Sequence, residues 1–99
     1  MYRGTTPTLQ FNLPFSVSNI AVLYITAKQY DVIVLEKDLS DCIVHDTSVT
    51  VKLAQEETLK LQPNRRITLQ IRCRTHDGTA MASQKFECDV KDILKEGVI

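Results

Sequence analysis

RRITLQIRCRTHDGTAMASQKFECDV, residues 65–90, reads as one long β-hairpin closed by Asp77-Gly78. Asp-Gly between two alternating runs is the strongest short-range hairpin signal, because a type I′ turn needs positive φ at both central residues. With those two residues at the turn centre, Cys73 faces Ala82, Ile71 faces Gln84, Leu69 faces Phe86 and Ile67 faces Cys88. All of these share one side, and all but Gln84 are apolar or small. The other side pairs Arg66 with Asp89, Thr68 with Glu87, Gln70 with Lys85, and Arg72 with Ser83. Opposite charges meet and like charges do not, which supports this register.

Just before the hairpin, Ala54 to Leu61 breaks the period of two. Glu56 and Glu57 early and Lys60 late suit the dipole of a short helix, closed by Pro63. Its N-cap is weak, with Ala54 where Ser or Thr is expected. Cys42–His45 and Val49–Leu53 are short strands joined by a tight turn at Asp46-Thr47-Ser48. Tyr30-Asp31 separates a strand at Ile20–Gln29 from one at Val32–Leu35, and both carry apolar residues on two faces. Such strands lie inside a sandwich or beneath a partner. Thr8–Leu13 alternates Leu9, Phe11 and Leu13 with polar residues and stops at Pro14, after a polar lead-in from Met1 to Pro7. Beyond the hairpin, Val90, Ile93 and Leu94 have helical spacing, and Gly97 is placed to end a turn.

Seven strands with turn signals between them, and no long amphipathic helix to cross a parallel sheet, predict an all-β protein. The expected fold is a single antiparallel, immunoglobulin-like β-sandwich over residues 1–99 with one or two short helical turns. A small closed barrel is the alternative. The Cys…Trp…Cys signature of true immunoglobulin domains is missing, since the chain has no Trp.

Twelve basic and twelve acidic residues give a formal charge of zero. A neutral chain has no general field for steering onto phosphates or anionic lipid, so neither nucleic acid nor membrane is an expected partner. The longest clean apolar run, Ile20–Ile25, is too short for a transmembrane helix, and no basic-plus-apolar leader opens the sequence. Three cysteines, an odd number, fit a reducing compartment better than a disulfide framework.

Two Cys-x-x-His pairs, Cys42/His45 and Cys73/His76, suggest a Cys₂His₂ zinc site. Against that, residues i and i+3 of a strand point to opposite faces. Cys73 and Cys88 stand six ladder steps apart, about 20 Å at the strand rise, too far to bridge. The three cysteines therefore read as small hydrophobes, with no metal and no cofactor expected. No Gly-x-Ser-x-Gly is present, and three scattered glycines cannot build a phosphate loop. Asp46 and Asp77 follow histidines in turns, where Asp serves the turn itself. Arg65, Arg66, Arg72 and Arg74 form a modest basic cluster, but no aromatics interleave to stack bases. An enzyme is not expected.

The run VTVKLAQEETLKLQPNRRITLQIRCRTHDGTAMAS, residues 49–83, resembles the second half of small β-sandwich domains in phage tail and baseplate proteins of Gram-positive hosts. Those domains carry a strand, a Thr-x-Glu-Glu-Thr-like turn, a Pro-Gly-like corner and a hairpin with an Asp-Gly tip. Here the turn is Ala54-Gln55-Glu56-Glu57-Thr58, with Ala54 in place of Ser or Thr, and the corner is Pro63-Asn64. Asn also visits the left-handed region that the corner needs. The opening Gly4-Thr5-Thr6-Pro7-Thr8-Leu9 is similar to the start of the N-terminal domain of the baseplate upper protein family. The resemblance implies a virion-assembly role, with a bacterial cytoplasmic or virion location and other phage structural proteins as partners. It rests on turn and core residues and implies no catalytic ones.

Two function classes follow. One is a structural or interaction module acting by association, with itself or with phage structural proteins. The other is a small intracellular metal- or ligand-binding protein using the cysteines and histidines. For the first, the expected contact residues are Val22, Tyr24, Ile33 and Leu35 on the two-sided strands, with Val98 and Ile99 as a second contact.

Overall fold

A computed structural model describes all residues from Met1 to Ile99. The strands are β1 (Thr8–Asn12), β2 (Ile20–Gln29), β3 (Val32–Asp38), β4 (Ile43–His45), β5 (Ser48–Lys52), β6 (Arg65–Thr75), β7 (Ala80–Ala82) and β8 (Phe86–Val90). One short helix, α1 (Gln55–Leu59), and two 3₁₀ turns, Val17–Asn19 and Leu39–Asp41, complete the secondary structure. The strands form two antiparallel sheets, β1-β5-β4 and β3-β2-β6, with β7 and β8 both paired to the far side of β6. Every hairpin stays within one sheet and every longer connection crosses to the other. That is the B-E-D against C′-C-F-G arrangement of immunoglobulin sandwiches. Two separate sheets exclude the barrel.

The core lies between the sheets. Leu23, Ile25 and Ala27 of β2 and Ile67, Leu69 and Ile71 of β6 meet Val49 and Val51 of β5, with Leu53 and Leu61 at one end. Alternation along β6 puts every second residue in this layer, as the period-two pattern requires.

The inner part of the long hairpin has the expected register: Leu69 pairs with Phe86, Ile67 with Cys88, Thr68 with Glu87, and Arg66 with Asp89. Nearer the tip the expectation fails by one residue. Cys73 pairs with Met81, not Ala82, and Arg72 pairs with Ala82, not Ser83. The expected pairs Ile71–Gln84 and Gln70–Lys85 do not form, because Ser83 bonds to Ile71 and Gln84 and Lys85 then leave the ladder, splitting the second arm into β7 and β8. That division raises the strand count from the expected seven to eight.

The tip itself explains the offset. Gly78 is left-handed at φ 91° while Asp77 is not, and the Gly78 N–H donates to the Thr75 carbonyl at 3.0 Å. The loop is thus the three-residue kind, a turn followed by a glycine bulge, and not the two-residue type I′. The Asp77 carboxylate accepts from the Thr75 hydroxyl and the Thr79 N–H, and these bonds hold its pKa below the ordinary value. The type I′ geometry occurs at Tyr30-Asp31, where both residues have positive φ (52° and 62°) and Gln29 pairs with Val32.

Leu35 was expected at an interface and is instead core, 6% exposed. Ala27 pairs with Leu35 but Lys28 pairs with Ile33, so Val34 is the extra residue of a β-bulge. The bulge breaks the alternation that would have put Ile33 and Leu35 on one face. Asn64 adopts φ 60°, as the Pro63-Asn64 corner requires.

One further expectation fails, at the C-terminal end. No helix forms after Val90. Asp92 accepts the N–H of Ile93, Arg3 engages both Asp92 and Glu96, and Leu94 is fully exposed, so a segment too short to be helical alone gains nothing from coiling. The lead-in is ordered. Arg3 N–H donates to Lys91 O at 3.0 Å and Tyr2 bridges Lys91 in parallel, which covers the outer side of the chain leaving β8. The Arg3 guanidinium also donates to the Leu59 and Leu61 carbonyls at 2.9 Å, satisfying groups the short helix leaves open. At the other end of α1, Ala54 offers no side-chain cap, but Glu57 accepts the Ala54 N–H at 2.9 Å. Glu57 also takes Lys37 of β3 at 2.6 Å. Burial alone would raise its pKa, and these two bonds outweigh it, leaving the carboxyl below the ordinary value. Gln29, buried in the same end of the sandwich, exchanges both amide bonds with the backbone of Gln62.

Candidate interaction surface

A sandwich of two open sheets has four edges, and natural sheets protect theirs with charge, Pro, bulges or cover. The β3 edge carries the Val34 bulge, with Glu36 and Lys37 beyond it. The β7/β8 edge is broken at Ser83–Lys85 and flanked by Tyr2. The β4 edge is three residues long. The β1 edge has no charge, bulge or cover: Thr-Leu-Gln-Phe-Asn is uncharged and five residues long, pairs β5 without a register shift, and has proline only at its flanks, Pro7 before it and Pro14 after.

The phase of its ladder is fixed by two bonds at the ends. Leu53 N–H donates to Pro7 O at 2.9 Å and Leu13 N–H to Thr47 O at 2.7 Å. Odd-numbered residues therefore face β5, and by the alternation of antiparallel pairs Thr8, Gln10 and Asn12 aim N–H and C=O outward. Immunoglobulin sheets place strand A at this position; here no strand pairs β1 except β5.

Beneath this edge the sandwich is open. A groove of about 580 Å³ runs between the sheets, lined by Leu9, Phe11 and Leu13 on one side and Leu69, Ile71 and Phe86 on the other. Phe11 and Phe86 span it, their ring centroids 6.1 Å apart at 52°. None of these residues stood among the expected contacts. The available signal was the absence of any charge between two prolines.

The expected contact residues are scattered. Ile33 is 53% exposed and sits beside exposed Val32 and Tyr30 at the end of the β2–β3 hairpin, where Arg65 stacks on the Tyr30 ring at 5.2 Å. Tyr24 is exposed and Val22 half-buried, and both line a shallow depression with Arg72 and Arg74. Val98 and Ile99 are exposed, while the Ile99 backbone is clasped by the side-chain amide of Gln55 at 2.8 and 3.0 Å. Unforeseen were Ile43, 75% exposed, and its neighbour Val44 on edge strand β4.

A second depression, about 450 Å³, lies on the outer face of the larger sheet among Thr26, Lys28, Asp31, Arg66, Lys85 and Glu87. Its charges are partly engaged, with Arg66 bonded to Glu87 at 2.9 Å and within 3.4 Å of Asp89. It is a solvated polar sheet face.

The Cys-x-x-His pairs do not converge. Cys73 is buried on the inner face of β6 while His76 is in the exposed tip, and Cys42 is half-buried beside the 3₁₀ turn while His45 is exposed. No three of the Cys, His, Asp and Glu side chains come together in metal-binding geometry. Burial pushes the Cys73 thiol pKa up, and burial with nearby Asp41 and Asp38 does the same for Cys42, so both are held as thiols at neutral pH. No helix is long and apolar enough to cross a membrane. No protein-family model matches the chain, and neither the curated proteins nor the solved structures contain a match to it.

Proposed function

We propose that this protein works by association, as a repeated structural or interaction module, and not by turnover. The observation that carries the proposal is the excess of apolar side chains left on strand edges outside the core. Tyr30, Val32 and Ile33 on one hairpin and Ile43 and Val44 on β4 are all at least half-exposed. Isolated exposed apolar residues are ordinary; runs of them on strands are features of docking surfaces. With the resemblance of residues 49–83 to tail and baseplate domains, the setting we propose is a phage or prophage tail assembly, with other copies or other structural proteins as partners.

The test is the solution mass of the purified protein and of Ile33→Lys. A multi-chain mass, lowered in an Ile33→Lys variant that keeps its β-sheet circular dichroism, supports association. A wild-type protein that stays a single chain at every concentration contradicts it.

A further inference from the structure

We infer that β1 pairs with β1 of a second copy of this chain, antiparallel about a two-fold axis at Gln10. The inference rests on the association reading and names one surface through which it operates.

The register follows from the ladder phase. Outward N–H and C=O groups belong to Thr8, Gln10 and Asn12, so a strand added here must form its hydrogen-bonded pairs at these positions. A two-fold centred on Gln10 satisfies all of them. Gln10 meets the second copy's Gln10, and Thr8 meets its Asn12 at both ends. Centring on Leu9 or Phe11 keeps the phase but pairs only three residues of the strand, leaving Asn12 opposite Thr6 in the first case and Thr8 opposite Pro14, which has no N–H, in the second.

Composition permits the same pairing. Gln10 meets its own copy at the axis, and a Lys or Glu there would put like charges directly opposite, a destabilising arrangement. The strand has no charge at all. Its flanking prolines fall outside the five paired residues, where their missing N–H costs nothing.

The inner face decides between a second copy and an unrelated strand. In this register Leu9 of each copy lies beside Phe11 of the other, and the two open sides of the sandwiches face each other about the axis. The groove of about 580 Å³ in each copy then closes against its symmetry mate, covering Phe86, which is 39% exposed in the single chain. The two smaller sheets become one continuous six-stranded sheet. Such an isologous contact is the commonest closed symmetry of soluble oligomers.

Register-specific crosslinking tests this directly. In a Cys42→Ser/Cys88→Ser background, which leaves only buried Cys73, Gln10→Cys places two thiols across the axis. Hydrogen-bonded antiparallel pairs have Cα atoms about 5.5 Å apart, within the span of a disulfide. Mild oxidation should convert most of the Gln10→Cys protein to a covalent dimer. Thr8→Cys alone should not crosslink, whereas Thr8→Cys with Asn12→Cys should. Gln10→Pro supplies the converse, since the N–H it removes points away from β5: the variant should keep the wild-type circular dichroism and lose the β1-mediated step in mass. If wild-type is multi-chain but Gln10→Cys fails to crosslink and Gln10→Pro leaves the mass unchanged, β1 self-pairing is wrong and association through β3 or β4 survives. A wild-type protein that is a single chain throughout overturns both.

Discussion

Ser83 completes the ladder of β6 with its side chain: its hydroxyl accepts the Ile71 N–H at 3.0 Å while its own N–H donates to Ile71 O at 2.8 Å. A backbone carbonyl would ordinarily take the first of these bonds. Using the hydroxyl frees the Ser83 carbonyl, which accepts from the Gln70 side chain at 2.8 Å, and lets Gln84 and Lys85 bulge away. The bulge separates β7 from β8, and Ser83 forms part of the wall of the groove under β1. Replacing Ser83 by Ala leaves the part-buried Ile71 N–H without a partner. We expect a loss of about 1–2 kcal/mol, the usual cost of an orphaned donor. Faster hydrogen exchange at Ile71 than at Leu69 would confirm the mechanism, and an unchanged Ile71 rate would contradict it.

Tyr30 and Asp31 hold left-handed conformations with no glycine to ease them. Asn-Gly is the preferred pair for this turn, and an L-residue in that region costs about 1–2 kcal/mol. Tyr30→Asn/Asp31→Gly should therefore raise stability by about 1 kcal/mol, net of the lost Arg65 stacking. For a chain this size that is a rise in Tm of several degrees by calorimetry. A lower Tm would mean that the Tyr30–Arg65 contact outweighs the strain.

Arg3 joins the lead-in, the end of α1 and the C-terminal segment through four hydrogen bonds at 2.8–2.9 Å. Lysine keeps the charge but not the planar fork. Arg3→Lys should cost about 1–2 kcal/mol and Arg3→Ala more, each read as a lower urea midpoint at unchanged m. Beside it, Gly4 has φ 69°, and an added Cβ would lie 2.9 Å from Ile93 Cδ1. Gly4→Ala should be destabilising although the site is near the surface. Equal urea midpoints for Gly4→Ala and wild-type would contradict the packing described.

Asp38, Glu57, Asp77 and Asp92 all have pKa values below the ordinary 3.8 or 4.5, through bonds from Ser40, Lys37, Thr75 and Ile93 respectively, against opposing burial. For a carboxyl lowered in the folded state, the unfolded chain binds more protons as the solution becomes acidic. Their stabilisation is complete above the ordinary carboxylate range and is lost as pH falls through the folded values. Urea midpoints should thus hold steady from neutral pH to about pH 5 and decline below it. A midpoint independent of pH through that lower range would show that these bonds carry no weight.

The sequence made the sandwich legible through alternation, most clearly along Ile67–Cys73, where each second side chain enters the core. It was misleading wherever one extra residue interrupts that period. The Val34 bulge moved Leu35 inward, and Ser83–Lys85 shifted the hairpin tip by one position. Bulges leave no composition signal of their own: Val34 looks like any strand residue, and the side-chain bond of Ser83 depends on its partner strand. The Asp77-Gly78 signal did mark a turn, but one in which only Gly78 is left-handed. The open edge at β1 is hidden in the sequence for a different reason. Its charge-free composition is local, but its exposure is a fact about strand order, which no single stretch encodes.

Association through strands that the sandwich itself leaves uncovered makes the mass of the protein depend on its concentration. Light scattering across a concentration series reads that dependence. We expect masses that are multiples of 11.2 kDa and fall toward one chain on dilution, with Ile33→Lys and Gln10→Pro each lowering the mass at a given concentration. A constant mass of one chain, with the groove and edges simply solvated, would contradict it.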